Sequence, residues 1–177
     1  MNTPPPNSQS APLPRADGRP AGSQNVRDYA GLIRQARGFG GDRAARMQAF
    51  VDAAWPLFCD ADVSWIGFYL ISADQREMLL GPRRDKPACS PIGLHGACAQ
   101  AWRERRMLVV RDVRELGAGY IACDPRDLSE LVIPLFDPAN SADCWGVLDV
   151  DSFSIGAFDE ADGREMLAAL RAAGLTH

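Results

Sequence analysis

The segment VSWIGFYLI at 63–71 constrains the fold of this 177-residue chain more than any other stretch. It is apolar on both alternating faces and rich in the β-branched and aromatic side chains that favour strands. A strand without a polar face has to be covered on both sides, so we expect this one at the centre of a sheet.

Two helices are predicted ahead of this strand. Apolar residues at helical spacing predict a first short helix between Val26 and Ala36, before a glycine-rich break. Asp42 is a suitable N-cap for the second helix. Its apolar stripe consists of Met47, Phe50, Val51, Ala54 and Leu57.

The remaining pattern alternates short strands with helices. Further strands are predicted at 78–80, 107–110, 131–136 and 145–151, and further helices at 97–105 and 159–170. The turn-rich DPANSADC (137–144) predicts that the last two strands form a hairpin with a longer loop. Because consecutive strands lie between the helices, the order favours an α+β fold, with helices packed on a central antiparallel sheet.

Residues 1–24 have a different composition from the rest. They hold five prolines before Arg15 and almost no large apolar side chains. Such a stretch cannot bury enough surface to offset the entropy of ordering it. We therefore predict a disordered Pro-rich tail at 1–24 and one folded domain at 25–177.

The charge and the cysteine count exclude several classes of protein. A net charge of −4 gives no electrostatic reason to expect a nucleic acid or an anionic membrane as partner. No apolar run approaches the roughly 18 residues of a membrane-spanning helix, and the N-terminus does not look like a secretory signal. Five cysteines, an odd number without a CxxC pair, favour a reducing compartment such as the cytoplasm over a disulfide scaffold, and give little support for zinc.

Cys123, in GYIACDPRD, is the first candidate for chemistry. It precedes a Pro-containing turn at the end of an apolar stretch, where reactive groups often lie. Arg126 would favour its thiolate and Asp124 would oppose it. Taken alone, such a residue is more often a half-buried cysteine that acts as a small hydrophobe.

Cys89 and Cys98 bracket a glycine-containing loop, SPIGLHGA. Such a loop is suited to carrying a thiol towards another site, although two unrelated cysteines in a connector would give the same pattern. Cys98 opens a predicted helix, so the helix dipole is expected to lower its pKa.

Three acidic residues are predicted to converge. Asp149 and Asp151 lie two apart on one predicted strand, so they share a face about 7 Å apart, while Leu148 and Val150 take the other face. Glu130 begins the preceding strand and is able to share the acidic face. Carboxylates held close together repel, which raises the pKa of some of them. Solvated aspartates at a strand end are the alternative.

Trp65 and Tyr69 lie four apart on the central strand, and hence on the same face. Core packing is the default for both, and the wall of a ligand pocket is the alternative. His95 is assigned no role.

Taken together, these segments resemble the free methionine-(R)-sulfoxide reductases, which are built on a GAF domain. The resemblance runs from about Tyr29 to the last helix. It is carried by WIGFYL (65–70), GP…KPAC (81–89), GAC (96–98), IACD…SELVIPL (121–135) and GVLDVDS (146–152). The chain departs from the usual pattern at Arg83-Arg84-Asp85 and in a shorter connection from Cys89 to Cys98.

The resemblance implies a role for each candidate. Cys123 would be the thiol that attacks the sulfoxide sulfur, Cys89 the main resolving thiol and Cys98 a second thiol in recycling. Substrate would be held by Glu130, Asp149 and Asp151, with Trp65, and more weakly Tyr69, at its methylthio end. The reductant would be thioredoxin-like, no metal or organic cofactor would be required, and a homodimer is also implied.

Two other classes of function fit the same residues. One is a non-catalytic GAF module that binds a small ligand. The other is a thiol redox sensor that switches on a Cys89–Cys123 disulfide. A sensor would form this disulfide with peroxide but would release no methionine.

Overall fold

Antiparallel pairing of six strands organises the computed structural model, which describes residues 26–117 and 123–177. The strands are β1 (Trp65–Ile71), β2 (Glu77–Arg84), β3 (Ile92–Gly93), β4 (Leu108–Val110), β5 (Ser129–Asp137) and β6 (Asn140–Ser152). The helices are α1 (Tyr29–Ala36), α2 (Arg43–Phe58), α3 (Gly96–Glu104) and α4 (Glu160–Ala172), with one 3-10 turn at Val113–Leu116. The strand order in the sheet is β3-β2-β1-β6-β5-β4.

The central strands give the sheet two different faces. One face, here called the core face, carries Ile66, Phe68, Leu131, Ile133, Leu148 and Val150, which are buried in one cluster with side chains of α1, α2 and α4. The opposite face, here called the pocket face, carries Trp65, Tyr69, Glu130, Val132, Asp149 and Asp151, and α3 packs on part of it. Burial on both sides explains why β1 lacks a polar face, as predicted.

The two predicted N-caps, Asp42 and Asp159, are confirmed. The first helix, however, begins at Tyr29, and Val26, which was predicted to belong to it, lies outside and is 82% exposed. The Asp42 carboxylate accepts a hydrogen bond from the backbone N–H of Ala45 at 2.8 Å, which caps α2. Asp159 caps α4 in a reciprocal capping box with Asp162. Both carboxylates satisfy N–H groups that have no partner within their own helix.

Two predictions about the strands are wrong in extent. The 137–144 segment is a tight hairpin in which β5 ends at Asp137 and β6 begins at Asn140. Asn140 and Cys144 pair with β5 on either side of an irregularity, and Arg105 donates to the carbonyls of Ser141 and Ala142 between them. β2 also extends beyond the predicted 78–80, through Gly81 and Pro82.

The disordered tail predicted at 1–24 lies outside the described residues. Within the described ranges, no helix combines the length and the apolar character needed to cross a bilayer.

Candidate active site

A cavity of about 380 Å³ lies between the pocket face, the N-terminal end of α3 and the connection from β2 to β3. This volume falls within the range of small-molecule sites. All the residues predicted to take part in the chemistry line it: Cys89, Cys98, Cys123, Trp65, Tyr69, Glu130, Asp149 and Asp151. The structure therefore brings the candidates together, while their roles stay predictions.

The three acidic residues meet because of the strand register. Glu130 on β5 pairs directly with Asp151 on β6, and Asp149 lies two residues along the same strand. Each is at most 9% exposed, and each offers a carboxylate oxygen within 4.8 Å of the others. Such a cluster provides oxygen ligands for a cation, whether an ammonium group or a metal ion.

Burial changes the protonation of this cluster. It raises the pKa of Asp149 to about 7, opposed by a hydrogen bond from Cys98 and reinforced by the charge of Asp127. Burial, followed by the charges of Asp149 and Glu130, also raises the pKa of Asp151. Within the described residues, Asp149 Oδ1 has no hydrogen-bond partner. The site therefore holds both carboxylic acid and carboxylate near neutral pH.

Cys123 lies at the mouth of the cavity. The residue is exposed, yet the surroundings of its sulfur are partly dehydrated, which is the main reason that its pKa rises to about 11. Cys89 is its immediate neighbour and is also exposed, and the Cys89 side chain raises the same pKa further. The Tyr69 hydroxyl is 3.8 Å from Cys123 Sγ. All five cysteines are free thiols.

The expectation for Arg126 and Asp124 is corrected. Arg126 donates to Asp124 at 2.7 and 3.0 Å, and Lys86 forms an ion pair with the same carboxylate. These contacts hold the pKa of Asp124 well below its usual range. The two charges that follow Cys123 in sequence are therefore paired with each other.

The predicted effect of the helix dipole on Cys98 is wrong. Cys98 is 7% exposed and its thiol donates to Asp149 Oδ2 at 3.3 Å. Burial first, and then the charges of Asp149 and Glu130, raise the pKa of this thiol. A position in the first turn of a helix does not compensate for removal from water beside carboxylates.

Trp65 and Tyr69 form an aromatic wall. Both are 2% exposed, and their ring centroids are 6.0 Å apart. Each also uses its polar atom to hold the loop that carries Cys89. Trp65 Nε1 donates to the carbonyl of Lys86 at 3.1 Å, and the Tyr69 hydroxyl donates to the carbonyl of Cys89 at 2.9 Å.

A fourth buried acid, Asp127, was not predicted from the sequence. It lines the cavity, is 5% exposed, and accepts a hydrogen bond from the Ser64 hydroxyl at 3.0 Å. Burial raises its pKa to about 6. Its position between Cys123 and Glu130 in the chain was the feature of the sequence that could have identified it as a site residue. Lys86 and His95 also line the cavity.

Comparison with known proteins finds related enzymes and related structures, although no family model matches the chain. The chain is 38% identical over 114 residues to the free methionine-R-sulfoxide reductase of Escherichia coli, covering 62% of this chain and 65% of that protein. It matches the structure of a putative GAF sensor protein from Burkholderia vietnamiensis with a TM-score of 0.72 and 36% identity, over 82% of this chain and 90% of the other.

A second solved structure is the free methionine-R-sulfoxide reductase of Neisseria meningitidis in complex with its substrate. It matches with a TM-score of 0.72 and 30% identity, over 82% of this chain and 86% of that one. The predicted α+β, GAF-like fold is therefore confirmed. With these likenesses over most of the described domain, the chain belongs to the free methionine-R-sulfoxide reductase family.

Proposed function

We propose that this protein reduces free L-methionine-(R)-sulfoxide to L-methionine, with Cys123 as the nucleophile. The observation that carries the proposal is one cavity in which two neighbouring thiols face a buried acidic cluster beside an aromatic wall. The related Neisseria enzyme, whose structure holds its substrate, supports the choice of substrate.

The carboxylates explain a preference for the free amino acid over a peptide as substrate. An ammonium group is compensated by the ionised members of the Glu130, Asp149 and Asp151 cluster, and the methylthio end packs against Trp65 and Tyr69. Methionine sulfoxide within a peptide lacks that ammonium group, so it leaves the buried acids without a cation. The pocket therefore favours the free amino acid.

The first chemical step transfers oxygen from substrate to Cys123. The Cys123 sulfur first bonds to the sulfoxide sulfur. The oxygen then bonds to the Cys123 sulfur as the substrate S–O bond and the transient S–S bond break, which leaves Cys123 sulfenic acid and methionine. The thiol loses one proton and the departing oxygen gains one. A carboxylic acid such as Asp149, with a pKa of about 7, is suited to exchange that proton.

The second step joins Cys123 to Cys89. The Cys89 sulfur displaces the sulfenic oxygen, which leaves as water, and a disulfide forms. We place Cys89 before Cys98 in this step because Cys89 is exposed beside Cys123, whereas Cys98 is buried against Asp149. Cys98 then acts later, in recycling. A thioredoxin-like dithiol is then oxidised as it reduces the disulfide, which returns Cys89 and Cys123 to free thiols.

The test supplies free methionine-(R)-sulfoxide and a thioredoxin system and follows NADPH consumption. Wild type and a Cys59→Ser control are expected to turn over, because Cys59 lies outside the cavity. Cys123→Ser is expected to be inactive. No turnover by wild type contradicts the proposed activity, and full turnover by Cys123→Ser contradicts the assignment of the nucleophile.

The second candidate function is a thiol redox sensor. It is favoured by one observation, the exposed pair Cys89 and Cys123 at the cavity mouth. A sensor forms the disulfide with peroxide but releases no methionine from the sulfoxide. Measuring methionine alongside NADPH separates the two functions.

A further inference from the structure

The two chain segments that carry Cys89 and Cys123 are tied together at the rim of the cavity, where Lys86 and Asp124 form part of its lining. The tie consists of Lys86, Asp124, Arg126 and Phe153, which we call the clasp. Lys86 lies three residues before Cys89, and Asp124 directly follows Cys123. Asp124 accepts from Lys86 Nζ on one side and from Arg126 on the other.

Phe153 completes the clasp from a third element. Lys86 Nζ lies 5.0 Å and Arg126 Cζ lies 4.5 Å from the centroid of its ring. The ring therefore makes cation–π contacts with both side chains. Phe153 directly follows β6, the strand that carries Asp149 and Asp151. This contact gives a reason for a phenylalanine that is 39% exposed.

A second Asp-x-Arg turn in the same chain shows what is special about the clasp. Arg114 donates to Asp112 from its backbone and its guanidinium, as Arg126 does to Asp124. The two carboxylates are similarly covered, with side chains 16% and 14% exposed. Among the contacts of the described residues, only Asp124 also takes a lysine from a distant segment.

The Cys89 loop is thus held from two directions. Trp65 and Tyr69 hold its backbone carbonyls from inside the cavity, at Lys86 and at Cys89. The clasp holds its lysine side chain at the rim of the cavity and joins it to the segment of Cys123. A disulfide forms only when the two Cα atoms come within about 7 Å in the right orientation, so the relative position of these segments matters.

We propose that the clasp positions Cys89 for attack on the sulfenic acid of Cys123. This inference rests on the proposed function. The step is the one in which the Cys89 sulfur bonds to the Cys123 sulfur and the sulfenic oxygen leaves as water. The clasp touches neither sulfur, so its residues are positioning residues. It acts on the second chemical step and leaves the first, methionine release, largely unchanged.

The variants distinguish the loss of the clasp from a general loss of stability. Asp124→Asn weakens the clasp, and Asp112→Asn is its matched control in the other Asp-x-Arg turn. Lys86→Met removes the link between the two thiol segments, and Lys86→Arg restores a cation at the same place. Phe153→Leu keeps every charge and serves as a second test if Asp124→Asn fails to fold, which thermal melting shows.

The experiment follows both steps in one turnover, with excess free methionine-(R)-sulfoxide and no reductant. Methionine release reports the first step, and mass spectrometry after alkylation reports the Cys89–Cys123 disulfide. We expect Asp124→Asn, Lys86→Met and Phe153→Leu to slow the disulfide about tenfold to a hundredfold. Methionine release should stay within about twofold of wild type in Phe153→Leu, because Phe153 does not line the cavity. Dimedone should trap the sulfenic acid that accumulates. Asp112→Asn and Lys86→Arg should match wild type.

Two results overturn the inference: an unchanged rate of disulfide formation in the clasp variants, or an equal loss of both steps in Phe153→Leu. A parallel reaction with peroxide keeps this test independent of the proposed activity. Peroxide oxidises the Cys123 thiol to the same sulfenic acid and is itself reduced to water. If wild type releases no methionine, the proposed function fails, while the peroxide reaction still shows whether the clasp sets the rate of disulfide formation.

Discussion

The two faces of the sheet are built from neighbouring residues on the same strands, yet they serve different ends. On β6, Leu148 and Val150 are fully buried in the main core, while Asp149 and Asp151 are buried in the cavity. The first pair stabilises the fold by burial of apolar surface. The second pair opposes folding, since removing carboxylates from water is unfavourable. Along β6, residues that stabilise the fold therefore alternate with residues that line the cavity.

The largest effect on stability should come from the core face. Leu148→Ala removes a side chain with no exposed surface and leaves a cavity, so we expect a loss of about 2–5 kcal/mol in the free energy of unfolding. Urea unfolding measures this loss. Variant protein that remains folded should keep the wild-type KM, and a large rise in KM would show that the two faces are not separable.

The next largest effect should come from the neighbouring residue that faces the cavity. Asp151→Asn removes a charge that compensates the substrate ammonium group, so we expect kcat/KM to fall about a hundredfold, equivalent to about 3 kcal/mol. Unfolding should be unchanged or require more urea, because a buried carboxyl of raised pKa has been replaced. Unchanged kinetics for this variant would exclude Asp151 from the substrate site.

The pH dependence of unfolding should also show the difference between the two faces of the sheet. The pKa of Asp149 is about 7 in the folded protein and 3.8 in its ordinary state. Between these values the folded protein keeps a proton that the unfolded chain has lost, so this carboxyl lowers stability as pH rises from about 4 to 7. Urea midpoints at pH 5 and pH 7.5 should show the decline, and Asp149→Asn should reduce it. An identical slope in the variant would contradict the raised pKa.

The smallest effect should come from the aromatic wall. Trp65→Phe keeps a ring on the pocket face but removes the hydrogen bond to the carbonyl of Lys86, which is worth about 1 kcal/mol. We expect KM to rise several-fold and the free energy of unfolding to fall by about 1 kcal/mol. Trp145→Phe is the matched control in the main core, since the indole nitrogen of Trp145 has no partner among the described residues.

Local patterns predicted much of this molecule, because several features depend only on neighbours in the chain. The alternation in GVLDVDS predicted which residues of β6 face the core, and Asp42 and Asp159 identified two helix starts. The extent of the 137–144 hairpin was missed because Arg105 stabilises it from elsewhere in the chain. The environment of Cys98 was missed for a similar reason.

The clasp shows most clearly what the sequence leaves out. Lys86, Asp124 and Phe153 come from three separate segments, and their spacing has no period that a helix or a strand would give. Asp127 likewise becomes a buried acid only when β5 and β6 pair beside Ser64. Contacts of this kind depend on the complete fold.

The most direct test of the central claim is the product of a single turnover without reductant. Wild-type protein mixed with excess free methionine-(R)-sulfoxide should release one methionine for each Cys123 and lose two thiols, and peptide mapping should find them joined as Cys89–Cys123. Release of no methionine, or methionine release that leaves Cys123 as a free thiol, would contradict the account.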